Sequence, residues 1–171
     1  MYLSFGLLER RKFHNLNNEG DTMITLCEQL NDRHYELLAL ADENQHAVND
    51  YATRGQVYVY QQDHQDIGIA VGLLTRPNTY ELVNLAVDPH FQNQGIGKLL
   101  IDHMINEARN LHCHTITVGT GNSGIGQLKL YQQAGFRMKS IDIDYFVKYY
   151  EEPIFENDIQ CKDMVRLEME L

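Results

Sequence analysis

The segment from Tyr80 to Leu100 constrains the fold of this chain more than any other. It reads YELVNLAVDPHFQNQGIGKLL and begins with a short apolar run typical of a buried strand. Asp88-Pro89 ends that strand, because proline cannot donate to the hydrogen-bond ladder of a sheet. An amphipathic helix follows, with apolar residues every three to four positions at Leu100, Met104, Ala108 and Leu111. The segment therefore predicts a strand, a loop and a helix in direct succession.

The loop that joins this strand and helix contains Gly95 and Gly97. The first N–H groups of a helix have no intrahelical partner and carry the positive end of the helix dipole, so they attract anions. Glycine lets a phosphate approach the backbone closely, whereas inside a helix it costs about 1 kcal/mol relative to alanine. A helix that merely starts with glycines is the alternative. We predict a binding site for a pyrophosphate group.

The remainder of the chain alternates between strand and helix patterns. Strands are predicted at residues 23–26, 56–60, 67–74 and 80–87, and the last three should form an antiparallel meander. Helices are predicted at 34–41 and 45–51. After the glycine loop come a strand at 115–118, a helix at 127–133 that ends at Gly135, and closing strands at 136–146 and 161–169. This order predicts a mixed α/β fold with helices on both faces of one sheet.

Length and charge restrict the organisation and the partners. A chain of 171 residues fits one domain, which we place at residues 23–171, preceded by an extension at 1–22 that ends in a polar stretch. The net charge of -10 argues against nucleic acid as a partner and suits a cationic substrate.

The spacing of the cysteines and the hydropathy of the chain predict where in the cell the protein is found. Cys27, Cys113 and Cys161 are far apart and form no paired framework, which favours a reducing environment. No apolar run reaches membrane-spanning length, and the first residues lack the order of a signal peptide. We expect a cytoplasmic protein without a membrane partner; a homodimer is left open.

The pattern Gln92-x-x-Gly95-x-Gly97 after a strand that ends Ala-Val-Asp-Pro resembles the acetyl-CoA signature of the GCN5-related N-acetyltransferase (GNAT) family. The resemblance implies a mostly antiparallel sheet of about seven strands. It also implies that the strand backbone at Leu85, Ala86 and Val87 pairs with the pantetheine arm of acetyl-CoA. The pyrophosphate would lie against Gln92, Asn93, Gln94, Gly95, Ile96, Gly97 and Lys98.

A second stretch is similar to another motif of the same family. Asn122 follows a strand, and Leu130-Tyr131-Gln132-Gln133-Ala134-Gly135-Phe136 follows on a helix. The resemblance implies that Asn122 helps to hold pantetheine and that Tyr131 protonates the departing thiolate, a role that suits a phenol with an ordinary pKa near 10. The alternative for Tyr131 is a core aromatic residue with a hydrogen-bonded hydroxyl.

Glu81 is the candidate general base. In histone-type members of the family a glutamate occupies the similar place on this strand, whereas ribosomal-protein-type members use a glutamate on the next strand. Thr117 stands at that second place and cannot accept the proton. Glu81 is therefore the predicted base, with an exposed strand residue as the alternative.

Two other patterns suggest different chemistry. Gly119-x-Gly121-x-x-Gly124 fits a dinucleotide fingerprint, with Asp142 and Asp144 about 20 residues later, but too few βα units follow it for a nicotinamide enzyme. His112 and His114 would share one face of a strand, yet a zinc site needs three or four protein ligands. We predict neither a nicotinamide cofactor nor a metal.

Acidic and aromatic residues alternate between Asp142 and Asp158. Such a surface attracts and stacks against a cationic amine, although a solvated loop is the simpler interpretation of any one residue. The segment resembles a bacterial subgroup of the family with poorly defined substrates. The sequence predicts an N-acetyltransferase that moves an acetyl group directly from acetyl-CoA to a primary amine; the alternative is a non-catalytic acyl-CoA-binding module.

Overall fold

The computed structural model describes residues 22–171. The predicted extension at 1–22 lies outside this range except for Thr22, which begins the first strand. The elements are β1 Thr22–Leu26, α1 Asp32–Ala39, α2 Gln45–Arg54, β2 Gln56–Gln62, β3 Gln65–Arg76, β4 Thr79–Val87, a 3-10 turn Pro89–Phe91, α3 Ile96–Asn110, β5 Thr115–Gly121, α4 Ile125–Gln133, β6 Arg137–Asp142, α5 Tyr145–Tyr149, β7 Ile154–Glu156, β8 Ile159–Cys161 and β9 Met164–Glu170.

Seven strands form one sheet in the order β1-β2-β3-β4-β5-β9-β6. All neighbours are antiparallel except β4 and β5, which run parallel because the long helix α3 connects them. The predicted meander is β2-β3-β4. The mixed, mostly antiparallel sheet of seven strands is confirmed.

β4 and β5 separate halfway along β4. They pair only from Thr79 to Leu82, after which β4 continues to Val87 with β3 while β5 continues with β9. Val83 is an extra residue at this point, because Val71 lies opposite Asn84 and Gly72 lies opposite Leu82. Such a β-bulge bends a strand and increases its twist, which accounts for the separation.

Two apolar layers cover the two faces of the sheet, as predicted. One layer packs α3 and α4 onto the sheet and contains Leu100, Met104 and Ala108 of the predicted helix face. Leu111 is 39% exposed because α3 ends at Asn110. The other layer packs α1 and α2 against the opposite face, with Leu37 and Leu38 fully buried.

The end of the chain differs from the prediction. The strand expected at 136–146 stops at Asp142, and Tyr145–Tyr149 form the short helix α5. The strand ends early because Asp144 adopts a left-handed conformation and its N–H donates to Asp163 Oδ1 at 2.8 Å. The strand expected at 161–169 is divided between β8 and β9, and the hairpin β7-β8 was not predicted.

Three cysteines are free thiols in this part of the chain: Cys27, Cys113 and Cys161. Among residues 22–171, no helix is both long and apolar enough to cross a membrane.

Two adjacent leucines on α3 provide a test of the packing. Leu100 is fully buried, whereas Leu99 is 48% exposed. Leu100→Ala should cost about 2–5 kcal/mol of unfolding free energy through lost burial and a residual cavity, lowering Tm by about 5–15 °C. Leu99→Ala should change the unfolding free energy by less than about 0.5 kcal/mol. Thermal unfolding monitored by circular dichroism measures both, and equal effects would contradict this packing.

Candidate active site

The glycine loop ends in an uncapped helix start. Gly95 occupies the N-cap position of α3 in a left-handed conformation, with φ of 85°, and supplies no side-chain hydrogen bond. Its carbonyl accepts from the N–H of Leu99 at 3.1 Å. The N–H groups of Ile96, Gly97 and Lys98 precede the first intrahelical bond and remain available to an anion.

The two glycines of the loop have different roles. A side chain at Gly95 would point into space with no protein atom within 4 Å, and the positive φ itself favours glycine. A side chain at Gly97 would meet Leu130 Cδ2 at 3.4 Å. Gly97 thus lies where α3 contacts α4 at van der Waals distance, whereas the space beside Gly95 is open and available to a ligand.

The polar side chains of the loop are partly engaged within the protein. Gln92 Nε2 donates to the carbonyl of Val87 at 3.0 Å, which ties the loop to the end of β4. Lys98 forms an exposed ion pair with Asp102 at 2.7 Å. Asn93 has a left-handed backbone, and Gln94 is exposed. An anion at this site would therefore meet chiefly backbone N–H groups.

Arg33 fixes the start of the loop from the opposite helix layer, a contact that sequence reasoning missed. Its guanidinium binds the carboxylate of Asp88, directly after β4, and its Nε donates to the carbonyl of Asp66 at 3.1 Å. The bond from the Arg33 guanidinium, together with those from the His90 N–H and the His90 ring, lowers the pKa of Asp88 to about 2. No short sequence motif signals a contact between residues 55 positions apart.

An open strand edge leads away from the loop. Leu85, Ala86 and Val87 lie on the part of β4 that has separated from β5, so this edge has no strand partner among residues 22–171. Backbone N–H and C=O groups need hydrogen-bond partners when water is excluded. The edge is therefore suited to an extended ligand that carries amide groups.

Tyr131 and Asn122 lie on the other side of the gap. Tyr131 is buried in the layer formed by α3 and α4, and burial raises the pKa of its phenol above the ordinary value. Its ring packs edge-on against Phe136 at 6.0 Å between centroids. Asn122 Oδ1 accepts from the N–H groups of Lys162 and Asp163, and its Nδ2 donates to the carbonyl of Gln160. Asn122 thus joins the end of β5 to the segment before β9.

A cavity of about 370 Å³ lies where β4 and β5 separate, on the face covered by α1 and α2. Glu81 projects into it with its side chain 20% exposed, and Glu81 Oε1 accepts from Arg166 Nη1 at 3.1 Å. Arg166 Nε also donates to Asp142 Oδ2 at 2.8 Å. The lining residues are Asp42, Asn44, Ala47, Tyr51, Glu81, Leu82, Val83, Gly119, Tyr145, Tyr149, Tyr150, Met164 and Arg166.

The predicted acidic and aromatic segment supplies only the aromatic part of this cavity. Tyr145, Tyr149 and Tyr150 line it, whereas Glu151 and the later acids of the segment are absent from its wall. The carboxylates in the wall are those of Glu81 and Asp42, and Asp42 comes from the connection between α1 and α2. Sequence reasoning missed Asp42 and Arg166, because neither belongs to a recognisable motif and the two come from distant parts of the chain.

The patterns that suggested other chemistry have structural explanations. Side chains at Gly119 and Gly121 would lie 2.6 Å from Met164 Sδ and 2.3 Å from Cys161 Sγ, so these glycines permit close packing of the last strands. His112 has a left-handed backbone in the turn before β5, so it shares no strand face with His114. Residues 22–171 contain no group of three or more His, Cys, Asp or Glu side chains arranged to hold a metal.

The parallel strands β4 and β5 separate at a bulge, and the helix α3, whose N-cap makes no side-chain hydrogen bond, connects them. A model of the acetyltransferase (GNAT) family matches residues 23–136. The chain belongs to this family and is an acyltransferase.

Three relatives illustrate the similarity. The chain is 48% identical over 148 residues to the uncharacterized N-acetyltransferase YvbK of Bacillus subtilis (strain 168), covering 86% of this chain and 96% of that protein. It resembles an acetyltransferase of Bacillus subtilis solved in complex with CoA, with 47% sequence identity and a TM-score of 0.85. The match covers 88% of this chain and 99% of that one. It also resembles a GNAT family acetyltransferase from Elizabethkingia anophelis solved with bound acetyl-CoA. The sequence identity is 39% and the TM-score is 0.86, and the match covers 90% of this chain and 100% of that one.

Substitutions at Gly95 test the anion site. Asparagine tolerates the left-handed conformation better than other residues with a Cβ, so Gly95→Asn should fold while placing a side chain in front of the free N–H groups. We expect its Kd for acetyl-CoA to rise at least about tenfold, because hydrogen bonds to a charged group contribute about 1.5–3 kcal/mol. Gly95→Val should have a similar or larger effect.

Calorimetric titration with acetyl-CoA measures this change, and thermal unfolding controls for loss of fold. Unchanged affinity in a folded Gly95→Asn protein would exclude this loop from the binding of the pyrophosphate.

Proposed function

We propose that the chain transfers an acetyl group from acetyl-CoA directly to a primary amine. The observation that carries the proposal is the cavity that contains Glu81, because it opens where the free edge of β4 begins. Donor and acceptor could thus meet at one point of the sheet, with no covalent enzyme intermediate required.

Acetyl-CoA would be held by backbone groups on one side of this point. The N–H groups between Asn93 and Lys98 would bind the pyrophosphate, and the edge from Leu85 to Val87 would pair with the amides of pantetheine. The bound thioester supplies the activated acetyl group. Open space beside Gly95 and the unpaired strand edge support this assignment.

Glu81 would accept the proton of the attacking amine. A neutral amine must attack the thioester carbonyl, and the proton that it loses as the new C–N bond forms passes to a nearby base, directly or through water. The ion pair with Arg166 holds the Glu81 carboxylate in the cavity. Thr117, its neighbour on β5, provides no competing base.

Tyr131 would donate a proton to the sulfur as the C–S bond breaks, and solvent would then reprotonate its oxygen. The ordinary pKa of a phenol, near 10, already keeps the hydroxyl protonated at neutral pH, and burial raises the pKa of Tyr131 further. The remaining requirement is geometric, namely that the hydroxyl lies near the thioester sulfur.

An amine panel scored for the release of free CoA tests the proposed function. Turnover with at least one primary amine is expected. The alternative, a non-catalytic acyl-CoA-binding module, fits poorly with a relative named as an N-acetyltransferase, and it predicts acetyl-CoA binding without CoA release for every amine. That outcome would overturn the proposal.

Tyr131→Phe isolates the proposed acid. We expect kcat to fall by about 10²-fold, the low end for loss of a general acid because a thiolate leaves readily, with Kd for acetyl-CoA almost unchanged. Tyr60→Phe removes a hydroxyl from another tyrosine in the same apolar layer and should retain the original kcat. Steady-state kinetics and calorimetry provide both quantities, and an undiminished kcat in Tyr131→Phe would eliminate the acid role.

Glu81→Gln isolates the proposed base through its pH dependence. Activity should nearly vanish around neutral pH and partly return at high pH, where the free amine of an acceptor with a pKa near 10 is already present. Glu28→Gln, on the exposed segment before α1, serves as the control. A pH–rate profile of Glu81→Gln that matches the original protein would show that the base lies elsewhere.

A further inference from the structure

The two carboxylates of the cavity have different partners. Glu81 is paired with Arg166. Asp42 accepts hydrogen bonds from uncharged donors, namely the Tyr150 hydroxyl at 3.0 Å and the Asn44 N–H at 2.9 Å, and the Tyr51 hydroxyl lies beside the same carboxylate. No ion pair of the described part of the chain involves Asp42. Asp42 therefore gives the cavity a negative charge that the protein does not compensate there.

Aromatic rings surround this charge. Tyr51, Tyr145, Tyr149 and Tyr150 line the same cavity as Asp42. Burial, and then the charge of Asp42, raises the pKa of Tyr51 and Tyr150, so both hydroxyls remain neutral. The Tyr145 ring already lies beneath the Arg166 guanidinium, 5.7 Å from its centroid, which leaves the other three rings without a cation of the described residues. The face of a tyrosine ring attracts cations by about 0.5–2 kcal/mol. An unpaired carboxylate among such rings is suited to an organic cation.

The size of the cavity restricts the ligand further. About 370 Å³ lies at the lower end of the range for small-molecule sites. Tyr149, with 64% exposure, lies at the surface, whereas Tyr51 is buried, so the cavity extends from the surface into the protein. Such a space fits a short flexible molecule better than the surface of a folded protein.

We propose that the acetyl acceptor is a short diamine-like dication. One amino group would be acetylated beside Glu81, and a second cationic group would bind Asp42 within the tyrosine rings. The inference rests on the proposed function, because it assigns the acceptor of that same site. An acceptor with a carboxylate in place of the second cation is disfavoured, since Arg166 is already shared by Glu81 and Asp142.

Three acceptors of equal chain length provide the test: 1,4-diaminobutane, butylamine and 4-aminobutanoate. They differ only in the group at the far end, which is cationic, apolar or anionic. We expect kcat/KM for CoA release to be at least about tenfold higher with the diamine than with butylamine, and lowest with 4-aminobutanoate. Equal values for the diamine and butylamine, or a preference for the carboxylate, would overturn the inference.

Asp42→Asn connects this preference to one residue. Asparagine retains an Oδ1 that accepts from Tyr150 and Asn44, so only the charge is lost. The ratio of kcat/KM between diamine and butylamine should fall at least about fivefold. Asp50→Asn removes a carboxylate on α2 that pairs with Arg54 outside the cavity, and should leave the ratio unchanged. An unaltered ratio in Asp42→Asn would overturn the assignment.

Direct binding separates this inference from the proposed function. Calorimetric titration of the CoA-saturated protein with 1,4-diaminobutane and with butylamine requires no chemistry. Tighter binding of the diamine, at least about tenfold and lost in Asp42→Asn, supports the cation site even if no acceptor is turned over. Equal affinities would overturn it even if butylamine is acetylated.

Discussion

The separation of β4 from β5 is the constraint on which the other features of this site depend. The bulge at Val83 bends β4 away after only four residues of parallel pairing, while antiparallel neighbours hold both strands in place. A free strand edge inside a protein carries backbone groups that cost about 1–3 kcal/mol each if buried without partners. An extended ligand with amide groups would satisfy them, which is the basis for proposing that the pantetheine arm binds along this edge.

Charge is distributed so that the two substrates would approach from different directions. The glycine loop offers uncompensated N–H groups and the positive end of the α3 dipole to an anion. The cavity on the α1 and α2 face offers Glu81, Asp42 and tyrosine rings to a cation. A negative net charge of -10 would weaken long-range attraction of a phosphate, so local backbone groups matter more at the loop than side chains do.

Local patterns in the sequence predicted the strand, loop and helix of residues 80–100, the meander and the two helical layers, because periodicity and glycine placement are local signals. The order of elements predicted the mixed α/β class, whereas the mostly antiparallel sheet of about seven strands was inferred from the resemblance to the GNAT family. The structure of the end of the chain was not predicted correctly, because α5 and the hairpin β7-β8 depend on remote contacts such as that between Asp144 and Asp163. The sequence predicted Glu81 but not the cavity around it, because Asp42 and Arg166 come from segments far from Glu81 along the chain.

The most direct test of this account is amide hydrogen exchange measured by NMR with and without CoA. The N–H groups of Ile96, Gly97 and Lys98 have no intrahelical acceptor and should exchange rapidly in the free protein. On saturation with CoA we expect their exchange to slow at least about tenfold, with further protection along the β4 edge up to Val87. Unchanged exchange at these amides, in a sample that calorimetry shows to be saturated, would contradict the central claim that this gap binds the acetyl donor.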